Sequence, residues 1–206
     1  MNFLFVGFAL IIVNIRLSMW LNYAVKALGF VLAAVGIAEY SVHDKGVKAY
    51  SPNALASAVM NGVFTAGMAY AGLKLGDRFI NYESIIFGVI STLVSIDFQN
   101  RMMKRILRSG EGKVVEDTQN HKRLMPFVAD VKRLGKAWNK LTVFVLANLV
   151  FDVLNRLVRL DALITVTGIF MAVTKVVCIV FAIAFLFRFN ELRVGYEKTM
   201  DKLDNT

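Results

Sequence analysis

Residues 162–187 form an apolar run of 26 positions broken by one charged side chain, Lys175. A run of this length exceeds the ~20 residues that carry an α-helix across a hydrocarbon core. Inside lipid an open strand would leave its backbone N–H and C=O groups without partners, so a lone crossing segment must be helical. Comparable runs occupy residues 2–17, 22–38, 54–73, 79–96 and 141–158. The sequence therefore predicts an all-α fold, a polytopic transmembrane helix bundle of about six spans. The chain is 57% hydrophobic with a mean hydropathy of +0.57, against roughly 45–50% apolar content in soluble domains. With only two prolines and no low-complexity tract, residues 1–206 read as a single integral membrane domain.

The first two runs are short and are interrupted by Arg16, Asn22 and Lys26, which predicts a tight hairpin whose charged ends snorkel to the interface. No Lys or Arg precedes the apolar stretch beginning at Phe3, so this segment reads as a span rather than a cleaved signal. Ser51 followed by Pro52 predicts a helix start at the third run, with Ser51 as the cap.

Between residues 97 and 140 the composition changes. Eleven of the 24 Lys and Arg residues fall here, and Ser109-Gly110-Glu111-Gly112 reads as a break within a basic loop. After Pro126, Phe127, Val131, Leu134 and Trp138 recur with helical periodicity while Lys132, Arg133 and Lys136 take other faces. This pattern predicts an amphipathic helix lying in the membrane interface. Lys132, Arg133, Lys136 and Trp138 would then meet anionic lipid headgroups. The six-span arrangement puts 17 of the basic residues on the side of this loop and the C-terminal tail. The positive-inside bias makes that side cytoplasmic, with both termini on it. The net charge of +9 is then explained by membrane topology. The adjacency of the basic residues to the spans disfavours nucleic acid as a partner.

Polar residues within the runs are where function can reside, because an ionisable group near the bilayer centre costs ~2.5–3.5 kcal/mol on insertion scales. Asn148, Asp152, Asn155 and Arg159 follow at intervals of 4, 3 and 4 residues, with Arg156 alongside, and so form one stripe along the fifth span. Such a stripe either lines an aqueous path or is sealed by neighbouring helices. Lys175 lies near the middle of the sixth span and calls for a partner, Asp152 first and Glu83 second. Glu83 sits in the first turn of its own span, where the helix dipole favours a carboxylate. Ala58, Gly62 and Ala66 form one small-residue ridge and Ser84, Gly88, Thr92 and Ser95 another, predicting close packing of the third and fourth spans. Asn61 and Thr65 are candidate interhelical hydrogen-bonding groups on the same pair.

His43 and His121 are isolated in polar segments and predict no metal site, and the lone Cys178 excludes an intrachain disulfide. Phosphate loops, zinc-protease helices, nucleophile elbows and dinucleotide fingerprints are absent from the sequence. Neither a cofactor nor an enzymatic reaction is expected.

Val13-Asn14-Ile15-Arg16-Leu17, followed by the helix Leu28-Gly29-Phe30-Val31-Leu32-Ala33-Ala34-Val35-Gly36-Ile37, resembles the opening hairpin of small multi-pass membrane proteins of Gram-positive bacteria. In that group an I-x-R element precedes a G-Y-I-L-type helix. Ala24-Val25-Lys26 stands where the group carries Pro-Asp. The resemblance covers about the first forty residues and implies a bacterial plasma-membrane location. Two functional expectations follow from the whole reading. The first is a small transporter or channel-like protein whose intramembrane polar groups receive a small solute. The alternative is a non-catalytic scaffold, sensor or assembly factor that engages a protein partner through the basic loop.

Overall fold

The computed structural model describes residues 2–12, 19–42, 44–74, 76–116, 121–157 and 161–204, with side chains omitted at 19, 74, 76–83, 107, 109–116, 121–128, 161–163 and 196–204. Within these residues the chain is helical throughout, apart from a short connection. The helices are α1 (Asn2–Ile12), α2 (Met19–Tyr40), α3 (Ser51–Lys74), α4 (Gly76–Glu116), α5 (His121–Leu157) and α6 (Asp161–Asp204). A 3-10 turn, Lys45–Tyr50, leads into α3. Four segments are long and apolar enough to cross a membrane: Trp20–Tyr40, Lys45–Leu73, Ala129–Leu157 and Ile164–Gly195. The protein is thus an all-helical, membrane-embedded protein. The 11 residues of α1 reach only about 16 Å.

The region expected to be a basic loop is largely helical. α4 continues through Gly110 and Gly112 to Glu116, and α5 begins at His121 and runs without interruption to Leu157. A glycine inside a helix costs about 1 kcal/mol, which the Met-, Ile-, Leu-, Lys- and Arg-rich turns before it offset. The amphipathic helix around Trp138 is therefore the first half of α5. Its apolar face meets protein, because α4 and α6 are extended alongside it. Val131, Leu134, Trp138 and Leu141 are buried with Met102, Met103, Phe185 and Phe189 in one cluster. Trp138 is only 4% exposed; its ring lies 5.2 Å from that of Phe185 and its indole N–H donates to the Asn100 side-chain oxygen. The expectation that Trp138 meets lipid headgroups is corrected: its ring is packed against protein.

The distribution of exposure explains where this core sits. Along one outward line of α5, Leu157, Leu154, Val150, Leu146 and Val143 are exposed, and the next positions are the exposed Lys140, Lys136 and Arg133. On α4 exposed Ile86, Ile90 and Leu93 give way to Asp97, Arg101, Lys104 and Arg108. On α6 the exposed aliphatic line from Val166 ends at Phe187, followed by Arg188 and Glu191. From Val166 to Phe187 the rise is about 32 Å, close to the ~30 Å of a hydrocarbon core. Apolar side chains gain nothing by leaving lipid for protein, whereas beyond the boundary burying a Leu or Phe is worth about 1.5–3 kcal/mol. The densest apolar packing therefore collects toward the basic end.

α1 and α2 pack as a close hairpin through glycines. A Cβ at Gly7 would stand 2.6 Å from the Ala33 nitrogen, and one at Gly36 2.1 Å from that of Leu4. At the basic end, Asp44 ties the α2–α3 connection to α4. Its carboxylate accepts from the Gly46 N–H at 2.9 Å and takes Arg105 in a two-point grip at 2.9 and 2.6 Å. Hydrogen bonding to Asp44 is the main influence raising the guanidinium above its ordinary pKa. Arg105→Gln should lower stability by about 1 kcal/mol and increase protease cleavage near Lys45. Unchanged cleavage would show that the connection is held by other contacts.

Candidate functional site

The most deeply buried cation among the described residues is Lys26, 5% exposed. It lies seven residues into α2, and the helix turns it toward α3 and α4. Its ammonium donates to Ser91 Oγ at 3.3 Å, and Ser91 Oγ in turn donates to Asn61 Oδ1 at 2.7 Å. Asn61 Nδ2 donates to the Ser57 carbonyl at 2.8 Å. Asn61 and Ser91 are 0% exposed, so three helices converge on one dry polar knot. Burying an ammonium here requires such partners, since the uncompensated group would be expelled or neutralised.

The knot is part of a longer seam. On α4, Ser84, Ser91, Ser95 and Gln99 fall at intervals of 7, 4 and 4, which keeps them on one side of the helix. On α3, Ser57, Asn61 and Thr65 repeat at four. The hydroxyls of Ser57, Thr65 and Ser95 each donate to the carbonyl one turn earlier, which satisfies them without a water. Gln99 is 2% exposed, and its amide nitrogen has no hydrogen-bond partner among the described residues. Beside the lower part of the seam is a pocket of about 260 Å³ lined by Tyr50, Asn53, Ser57, Val94 and Phe98, with the Asp97–Arg101 pair at its rim.

Ser84 joins this seam to the polar stripe of α5. Its carbonyl accepts from the Tyr23 hydroxyl at 3.4 Å and its hydroxyl accepts from Arg156 Nη1 at 2.8 Å. Arg156 is also 3.3 Å from Asp152 on its own helix. The rest of the stripe is turned to α6. Asn148 donates to the Met171 carbonyl and the Thr174 hydroxyl at 3.1 and 3.0 Å, and Asn155 accepts from Thr167 at 3.0 Å. Asn148 and Asn155 are thus both partly buried and bonded to α6. Lys175 is half-buried on α6 and is engaged by its surroundings. Arg159 and His43 lie outside the described residues, as do the side chains of Glu83 and His121.

Sequence reasoning passed over Lys26 because α2 was expected to start at Asn22, which makes Lys26 a snorkelling end. The helix starts at Met19, and its added turn carries Lys26 inward. Asn61 was expected as an interhelical group and bonds across to α4. Thr65 bonds within its own helix. Ser91 carried a signal in its spacing from Ser84 and Ser95. On the small-residue ridge of α3, Ala58 is buried whereas Gly62 and Ala66 are exposed; they face away from α4. Lys132, Arg133 and Lys136 are all exposed, and Arg133 is 3.5 Å from Asp130. In comparison with family models, curated proteins and solved structures, the chain matches none.

Proposed function

We propose that this chain is a small transporter or channel-like protein of a bacterial plasma membrane. It would have about six spans and both termini in the cytoplasm. The observation that carries the proposal is Lys26, an ammonium held in the apolar half of the bundle by Ser91 and, through it, Asn61. A membrane anchor gains nothing from a buried charge, and the usual reason for retaining one is a solute or ion that it meets. The pocket beside Ser57 supplies an approach from the basic end, and the Gln99 amide supplies a donor. The Ser84–Arg156–Asp152 link offers a continuation toward the opposite side. A flux screen in proteoliposomes, run with small charged and polar solutes, tests this. Asp152→Asn should slow the transported solute several-fold with the helical content intact. Absence of flux for every solute class, with correctly oriented protein, would sink the reading.

The second reading is a scaffold that captures a protein partner at the basic end, and one observation favours it: α4, α5 and α6 extend past the apolar boundary and build a packed core there. Under that reading, reversing Lys132 and Lys136 to Glu abolishes partner capture, while changes at Lys26 alter stability alone.

A further inference from the structure

We infer that the outward basic face of α5, with the adjoining turn of α4, is a docking surface for anionic phospholipid headgroups. The residues are Lys132, Lys136 and Lys140 on α5 and Lys104 on α4. All four are exposed, and none makes an ion pair with a described residue. Neighbouring cations differ in this respect: Arg133 has Asp130 at 3.5 Å and Arg101 has Asp97 at 2.9 Å.

Continuity of the helix surface identifies the occupant. Lys140 and Lys136 prolong the same outward line that carries Leu157, Leu154, Val150, Leu146 and Val143. A helix that is aliphatic for about 21 Å from Leu157 to Val143 and then turns basic is crossing from acyl chains to headgroups. The next eight residues, from Lys140 back to Lys132, rise about 12 Å. The headgroup layer on each side is about 5–8 Å deep. Lys140 and Lys136 therefore stand within it, and the long side chain of Lys132 reaches back to it. α4 runs antiparallel to α5, as the Trp138–Asn100 and Arg156–Ser84 contacts require, so Lys104 lies one turn past Asn100, level with the Leu134 turn. The opposite side of α5 is occupied by the core through Leu134, Trp138 and Leu141, which fixes the lysines outward. A nucleic acid would need this face clear of the bilayer, whereas the lysines start where the lipid-facing line stops.

Full-length protein reconstituted in phosphatidylcholine bilayers, with spin-labelled phosphatidylglycerol or phosphatidylcholine as the probe, measures which lipid is held. Phosphatidylglycerol should be held preferentially at low salt, and the preference should collapse near 1 M salt, where the screening length falls to about 3 Å. Replacing Lys132, Lys136 and Lys140 together by Gln should reduce the preference at least about fivefold, the change expected for even one lysine near an anionic surface. Equal retention of the two lipids by the unsubstituted protein would overturn the inference, as would a triple variant with undiminished selectivity. Duplex DNA binding that persists in phosphatidylglycerol-rich bilayers would overturn it in favour of a nucleic-acid partner. Should the triple variant lose helicity, Lys136→Gln alone and the salt series decide the matter. The outcome is independent of whether any solute is transported.

Discussion

Replacing Lys26 with Met should cut solute flux by roughly 10- to 100-fold while the bundle remains assembled. The magnitude follows from the loss of one charge-assisted hydrogen bond to the solute, about 1.5–3 kcal/mol. Assembly should survive for a separate reason. Met fills much of the same volume, and Ser91 keeps its acceptor in Asn61 while Asn61 keeps the Ser57 carbonyl. Removing the ammonium also removes the cost of holding it in a hydrocarbon setting, ~2.5–3.5 kcal/mol near the centre. Thermal stability in detergent should therefore stay level or rise as flux falls. Asn61→Leu provides the contrast, because it takes the acceptor from a fully buried Ser91 and should cost about 1–3 kcal/mol of stability. Flux and melting measured on both variants separate the roles. A Lys26→Met protein that transports normally would make Lys26 a packing residue, and the transport reading would lose its main support.

The helical architecture was legible because lipid leaves a spanning chain few options, and apolar run length reports it directly. Two things were not legible. One was the state of the hydrophilic stretch, where Gly110 and Gly112 suggested a break. On α5 its apolar face is covered by Phe185 and Phe189, which lie near and just past the end of the long apolar run and pack with Leu134 and Trp138. Periodicity shows that a helix has an apolar face. It does not show what covers that face, and lipid and protein are equally apolar answers. The other was the identity of the polar knot. The α5 stripe announced itself through the spacing of Asn148, Asp152 and Asn155, yet its partners Thr167 and Thr174 are weakly polar and unremarkable in a span. Lys26, Asn61 and Ser91 come from three helices and share no sequence period. A three-residue difference in where the second run begins was enough to move Lys26 from the bundle interior to its edge.

The same hairpin supplies the second large effect. Gly36→Val should dislodge α1 and destabilise the protein by about 3 kcal/mol or more, at the upper end of overpacking costs. A Cβ there would lie 2.1 Å from the Leu4 backbone nitrogen and 2.5 Å from its Cα. These are backbone atoms that no rotamer change can move aside, so α1 itself must shift. The shift spreads because Leu4 and Phe8 are 0% exposed. Phe8 packs on Phe98 of α4 and Phe189 of α6 at ring separations of 6.2 and 5.5 Å. Gly62→Val on α3 is the matched control, since a Cβ there meets nothing within 4 Å and valine is no worse a helix former than glycine. Beyond melting temperature, a local readout comes from the end of α1, where Arg193 of α6 donates to the Asn2 side chain at 2.6 Å. With Cys178 replaced by Ser, cysteines at positions 2 and 193 should be joined by a flexible bismaleimide in the parent and in the Gly62→Val protein, and should fail to join in Gly36→Val. Efficient joining in all three would mean that α1 is held to α6 independently of its seat on α2. The glycine contacts would then follow from the packing of α1 rather than cause it.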